Sequence, residues 1–264
     1  MKKLLAIALA VILTFSMTAC GKKTTTINKE KLVVGTSADF APYEFHILDE
    51  NGKDKIVGFD IALAQAIADD MGLALEIKDI AFDNILLELN AGTIDLGISG
   101  FSPDPERAKA VDFSKLYYTG GQSMMINKAD ASKFKTYTDL NDKQFSVGAQ
   151  TGSIQEALAK ELTANANYVG LQAVPSVIME LKAGKINAAF METVVAEGYA
   201  QAQDDLMVLC EVPYDVEGSA VAVKKGNEEM MKTVNKVIDK LLADGTMDKY
   251  IQEGNALSVK AIAK

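Results

Sequence analysis

Apolar positions along this chain switch repeatedly between two periods, every second residue and every third or fourth. Residues 31–35 (Lys-Leu-Val-Val-Gly) read as a first strand. Phe59, Leu63, Ala66, Ile67 and Met71 share one helical face, and Leu73, Leu75 and Ile77 then alternate as a second strand. Phe82, Ile85, Leu86 and Leu89 predict the next helix, closed by Gly92, and Ile94, Leu96 and Ile98 alternate as a third strand. Strands that alternate with helices predict an α/β fold built on mostly parallel sheet.

The pattern then repeats. Residues 85–98 match residues 177–190: Glu88 with Glu180, Leu89 with Leu181, Ala91-Gly92 with Ala183-Gly184, and Ile94 with Ile186. Each copy is a helix turn, a glycine at its end and a strand. Two copies are too few for a solenoid and suit two similar lobes. The second half also supplies strands at residues 145–149, 206–209 and 219–223 and helices at 155–162, 193–199 and from Asn227 to Asp244. Met124-Met125-Ile126 reads as a strand leaving the first lobe. The aromatic stretch from Thr36 to Phe45 reads as a loop, and the tail after Ile251 is weakly patterned and reads as mobile.

Candidate chemistry sits where the strands end. After Ile98 the chain opens into Ser99-Gly100-Phe101-Ser102-Pro103 and closes on Arg107. Ligands usually sit at the carboxyl ends of strands in open α/β sheets. The freed Gly100 backbone, the Ser102 hydroxyl and the Arg107 fork suit a carboxylate. Taken alone, Arg107 reads as a surface arginine; the repeat changes that. In the second half, Gln150-Thr151-Gly152-Ser153 opens a helix, whose free N–H groups suit an anion, although Ser153 alone reads as an N-cap. The second-copy strand ends in Glu192-Thr193. Lobes that face each other would thus bring a positive and a negative group together, matching a zwitterion with an α-carboxylate and an α-ammonium. Phe40, Tyr43 and Phe45 are either a clamp for a side chain or packing.

Composition narrows the classes. The chain has 264 residues, 48% hydrophobic and 24% charged, as in a soluble globular protein, with a formal net charge of -9 that argues against nucleic-acid binding. His46 is the only histidine, so no histidine-rich metal site is expected, and neither a metal nor a cofactor is called for. Residues 1–19 read as a signal peptide: a basic start, then an apolar run from Leu4 to Phe15. Met17-Thr18-Ala19-Cys20 resembles a bacterial lipoprotein processing site, with Cys20 as the lipidated first mature residue and residues 20–30 as a polar tether. The alternative is an ordinary cleavable signal with a chance cysteine. With Cys20 lipidated, Cys210 has no disulfide partner and reads as a small buried hydrophobe.

Taken together, these stretches resemble the bacterial extracellular solute-binding proteins, family 3, of polar amino-acid ABC importers, over roughly residues 31–250. The motifs are Gly35 to Phe45, Val57 to Ile61, Gly92 to Asp95, Ser99 to Arg107, Val111 to Ser114, Tyr117-Tyr118 and Val147 to Ser153. The resemblance implies a two-lobed, type 2 periplasmic-binding fold, each lobe a mostly parallel sheet flanked by helices, joined by two crossover segments. The first lobe would be residues 31–121 with 216–264 and the second 122–215. It implies that Arg107 holds a ligand carboxylate with Gly100, Ser102 and Ser153. Glu192 would hold the α-ammonium, where aspartate is usual. Phe40 and Phe59 would line the side-chain pocket, with Tyr43 and Gln122 as further candidate members. Ser37, Asp39, Ser99, Phe101, Gln150, Thr151 and Gly152 complete the candidate set. Ser37 stands where an acid is frequent in relatives that take cations or glutamine, and Asp39 or Glu44 are other sources of charge.

The expected function is a monomeric, membrane-anchored lipoprotein (palmitate on Cys20) on the extracellular face of a bacterial cell membrane. It would capture a polar L-amino acid, cationic such as arginine or lysine, or glutamine, and deliver it to permease subunits of an ABC transporter. The alternatives are a dehydratase of the same fold acting on prephenate or arogenate, and an amino-acid sensor without transport. No second catalytic group accompanies an acid such as Glu192 in the sequence, so an enzyme is not expected.

Overall fold

A computed structural model of the chain describes residues 30–216 and 218–263. The expected signal peptide and Cys20 lie outside the described residues, as does the tether up to residue 29. In order the chain forms β1 (Lys31–Thr36), β2 (Asp39–Phe40), β3 (Glu44–Leu48), β4 (Asp54–Val57), α1 (Phe59–Met71), β5 (Ala74–Asp79), α2 (Phe82–Ala91) and β6 (Leu96–Gly97). It continues through β7 (Val111–Tyr118), β8 (Gln122–Asn127), β9 (Ser146–Gln150), α3 (Ile154–Leu162), β10 (Asn167–Leu171), α4 (Val174–Lys182) and β11 (Ala188–Glu192). It ends with α5 (Thr193–Ala202), β12 (Leu206–Val212), β13 (Ser219–Lys224), α6 (Glu228–Ala243) and α7 (Thr246–Ile262).

Among the described residues these strands make two five-stranded sheets, ordered β5-β1-β6-β13-β7 and β10-β9-β11-β8-β12. The orders are equivalent. In each sheet three strands run parallel and a fourth enters antiparallel from the other lobe's side of the chain: β13 beside β6, and β8 beside β11. The sequence repeat therefore maps onto the geometry, with α2–β6 and α4–β11 as the two copies. Gly92 and Gly184 follow the two helices with φ of 78° and 69°, a backbone that favours glycine.

The chain crosses between lobes twice, from β7 to β8 and from β12 to β13. Apolar positions face inward as the pattern predicts: Leu32, Val34, Leu96, Ile98, Val221 and Val223 build the first core, and Met124, Ile126, Val147, Ala188 and Phe190 part of the second.

Two expectations change. The stretch from Thr36 to Phe45 is more than a loop: β2, β3 and β4 form a small antiparallel sheet beside the cleft. The tail after Ile251 is ordered rather than mobile, because α7 continues to Ile262. Gly254, mid-helix, masked this. A Cβ there would stand 2.9 Å from the Pro42 carbonyl oxygen and 3.3 Å from Phe59, so glycine lets α7 lie close against the first lobe. Its other side packs on α5 of the second lobe.

Candidate functional site

The polar residues that follow β1, β6, β9 and β11 converge between the lobes, at the carboxyl ends of both parallel sets. A narrow cleft of about 10 Å³ is lined by Phe40, Ser99, Gly100, Ser102 and Arg107 from the first lobe and Gln150, Ser153 and Gln155 from the second. That is room for about one water, so the lobes are drawn together over the cleft.

Arg107 is placed by its loop. The Asp104 carboxylate accepts from the Glu106 and Arg107 N–H groups at 2.8 and 3.2 Å and turns the chain inward. The guanidinium lies 5.4 Å from the Phe82 ring centre and 5.3 Å from that of Phe101, and the two rings stack at 4.8 Å. It donates to the Ser102 carbonyl at 3.2 Å and, across the cleft, to the Gly152 carbonyl at 3.1 Å. Burial lowers its pKa to about 10, so it stays cationic at neutral pH. Five donors make up a guanidinium, so the fork keeps capacity for an anion. Phe101 itself is buried and acts on the cleft through this stack.

On the facing lobe, Ser153 caps α3: its Oγ accepts from the Glu156 N–H at 3.1 Å and donates to the Gln150 carbonyl at 2.6 Å. The N-terminus of α3 is thereby presented to the cleft opposite Arg107. Gln150 Nε2 donates to both Asp39 oxygens, at 3.2 and 3.3 Å, a second tie between lobes. Burial pushes the Asp39 carboxyl up to about 6. Ser37 Oγ sits 3.4 Å from Asp39, while its N–H donates to Ser99 Oγ at 3.1 Å. Gly152 bridges α2 and α3; Thr151 is turned toward Gly170 rather than lining the cleft.

Glu192 ends β11 and caps α5, with Oε2 accepting from Val194 and Val195 N–H at 2.8 and 3.2 Å. Its Oε1 is buried with no hydrogen-bond partner of good geometry, beside Gly120, where any Cβ would collide with it. Burial pushes this carboxyl up to about 8, against the two backbone N–H groups and the nearby Tyr43 phenol that lower it. Among the described residues no lysine or arginine pairs with it. A buried acid in that state is poised to ionise when a cation arrives.

Phe40 lies at the cleft, with its ring against Gly100. Phe59 and Tyr43 are fully buried beneath it, their ring centres 4.2 Å apart, with Tyr118 5.6 Å from Tyr43. They form the floor's support, not its surface. Ser99 is also engaged, donating to Glu44. Gln122 is buried and accepts from Gln155 at 2.7 Å. Three participants carried no site signal in the sequence. Phe82 looked like a core position of α2, Gln155 like an ordinary helix residue, and Asp60 like a first-turn acid of α1.

Such a site, two α/β lobes closing opposite polar loops on one small cleft, defines a solute-binding protein. The family model for bacterial extracellular solute-binding proteins, family 3, matches residues 32–253, and the chain belongs to that family. It is 37% identical over 255 residues to the arginine-binding extracellular protein ArtP of Bacillus subtilis, covering 94% of this chain and 96% of that one. It resembles the amino acid ABC transporter substrate-binding protein AbpA of Streptococcus pneumoniae bound to L-arginine, with a TM-score of 0.83 and 39% identity over 87% of this chain and 96% of the other. An ancestral arginine-binding protein bound to glutamine aligns with a TM-score of 0.77 and 36% identity, over 85% and 97% of the two chains. These relatives are binding proteins, and so is this chain; it is not an enzyme.

Proposed function

We propose that this chain captures a cationic L-amino acid, arginine first, and hands it to the permease of an ABC importer. In this reading Arg107, the Gly100 and Ser102 loop and the N-terminus of α3 take the α-carboxylate, and Glu192 takes the α-ammonium. The side chain runs along Phe40 toward Asp39. The observation that carries the reading is the charge around the cleft: Arg107 is the one cation among the residues lining it, while two acids stand next to that lining, Asp39 bound to Gln150 and buried Glu192 beside Tyr43. A neutral zwitterion would pair Arg107 and Glu192 and leave Asp39 unmatched. A second positive charge matches it. The arginine-binding relatives support the same choice.

Residues 31–121 with 216–264, and residues 122–215, would move as lobes about the two crossovers and close on the ligand. A monomer tethered through lipid on Cys20 would keep the cleft near its permease at the outer face of the membrane.

The test is a thermal-shift and calorimetric series on the mature chain after unfolding and refolding to strip carried-over ligand. The ligands are arginine, lysine, citrulline and glutamine. Arginine at 100 times its Kd should add about 2.7 kcal/mol and raise Tm by roughly 2–4 °C or more. Citrulline, of the same shape without the charge, should bind much more weakly. Equal affinity for arginine and citrulline would refute the cationic assignment, and no shift with any amino acid would refute the site. Incorporation of labelled palmitate, lost in Cys20→Ala, checks the anchor.

A further inference from the structure

Two carboxyl groups lie fully buried directly behind the cleft, and neither forms an ion pair among the described residues. Glu44, the first residue of β3, is 0% exposed, and so is Asp60 in the first turn of α1. Glu44 Oε1 accepts from Ser99 Oγ at 2.5 Å. Asp60 Oδ2 accepts from the Gly100 N–H at 2.8 Å and from the Tyr117 hydroxyl at 2.9 Å. The other oxygens, Glu44 Oε2 and Asp60 Oδ1, are buried and receive nothing from any other group. The two side chains lie within hydrogen-bonding reach of each other.

Two ionised carboxylates facing each other in a dry site repel, and each facing oxygen would lose water without gaining a donor. One proton removes both costs at once. We propose that Glu44 and Asp60 share a single proton, and that this acid–carboxylate pair is the positioning device that holds Ser99 and Gly100 at the ligand cleft. The proton belongs on Glu44, because Asp60 already accepts two donors that favour its charged form while Glu44 accepts one. The resulting chain is continuous: Ser37 N–H to Ser99 Oγ, Ser99 O–H to Glu44, Glu44 O–H to Asp60, and Asp60 back to Gly100 N–H and Tyr117 O–H. It ties the ends of β1 and β6 to β3, α1 and β7.

The titratable groups facing the pair are Asp39 from β2 and Tyr117 from β7. Asp39 is an acid, so its field favours retention of the shared proton. Burial first, and then the charge of Asp60, raises the Glu44 carboxyl well above its ordinary 4.5; the Asp60 carboxyl is raised too, by burial, against the Gly100 and Tyr117 donors. The sign follows. The unfolded chain gives up this proton near pH 4.5 and the folded chain keeps it, so unfolding at neutral pH releases it and stability falls as pH rises above 4.5.

The positioning role rests on the ligand reading above; the proton itself does not. The experiment compares the intact mature chain with Glu44→Gln, Asp60→Asn and Glu44→Ala. Proton release on unfolding is measured from the pH dependence of stability, and L-arginine affinity by calorimetry from pH 6 to 9. Glu44→Gln supplies the same donor permanently. It should release about one proton fewer than wild type on unfolding at pH 7, bind arginine within about twofold, and bind about tenfold or more tighter than Glu44→Ala. Asp60→Asn, whose amide donates to an ionised Glu44, should show the same missing proton.

Equal proton release in wild type and both amide variants would overturn the pair, and so would failure of both to fold, since an amide keeps the donor. Loss of arginine binding in Glu44→Gln as deep as in Glu44→Ala would overturn the positioning role. If no chain binds arginine yet the proton count differs, the pair stands and the ligand reading falls. If arginine binds tightly and the counts agree, the reverse holds.

Discussion

Arg107 and Gly152 are joined across the cleft: the guanidinium of one lobe donates to the backbone carbonyl of the other at 3.1 Å. The group that would hold a ligand anion therefore also latches the lobes together. Closure and capture act through one side chain.

Arg107→Lys should cost affinity, not only charge. Lysine keeps a cation but loses the fork and the stack on Phe82 and Phe101. Loss of one charged hydrogen bond is worth about 1.5–3 kcal/mol, so Kd for arginine should rise roughly 10- to 150-fold in calorimetry. The melting temperature of the unliganded protein should move little by comparison.

Glu192 sets a pH dependence of binding. Its carboxyl stands at about 8 in the unliganded protein, and only the ionised form pairs with an ammonium. Affinity should therefore rise about tenfold per pH unit up to about pH 8 and then level, with one proton released on binding at pH 6–7. Calorimetry in buffers of different ionisation heat reads that proton directly. Glu192→Gln should bind more weakly and lose the slope. The raised value has a second effect: the unliganded protein loses stability as pH rises from 4.5 toward about 8, because the unfolded glutamate ionises first.

Gly152→Ala tests closure. Gly152 has φ of 78°, and a Cβ there would stand 2.8 Å from Cβ of Asp83 on the opposing lobe. The substitution strains the loop and wedges the interface, so the open form gains. Arginine affinity should fall about tenfold or more, and small-angle scattering of the liganded protein should show a larger radius of gyration than wild type.

His46 is held between two acids, with Nδ1 2.9 Å from Asp54 and Nε2 3.1 Å from Asp79. Partial burial pulls the imidazole down, and the bonds to Asp79 and Asp54 together outweigh it, leaving its pKa above 6.5. Its contribution to stability is full below pH 6.5 and is lost as pH rises through the folded value. NMR titration of this single histidine should give a value above 6.5 that drops in Asp79→Asn.

Much of this arrangement was readable from residues alone. The paired Ala-Gly steps at 91–92 and 183–184 marked the two copies, because a helix that must end and turn into a buried strand needs a left-handed residue there. The polar stretches at 99–107, 150–153 and 192–193 stood out because they interrupt strands that are otherwise apolar. Burial was less readable. Phe59 and Tyr43 carry the same chemistry whether they touch a ligand or support the residue that does, and only packing separates the two. Asp60 hid among the acids that ordinarily open a helix. The antiparallel entry of β8 and β13 left no trace in local periodicity, since a buried strand reads alike in either direction.

The place of β13 has a consequence for how the protein is made. Within the first sheet β6 and β7 do not touch; β13, more than a hundred residues later in the chain, pairs with both. The second sheet is drawn from one uninterrupted stretch, β8 to β12. As the chain emerges N-terminus first, the later lobe can therefore assemble while the earlier one still has a gap through its middle. The first lobe, and with it the loop carrying Arg107, is completed last, by a strand that arrives after the other half of the cleft already exists.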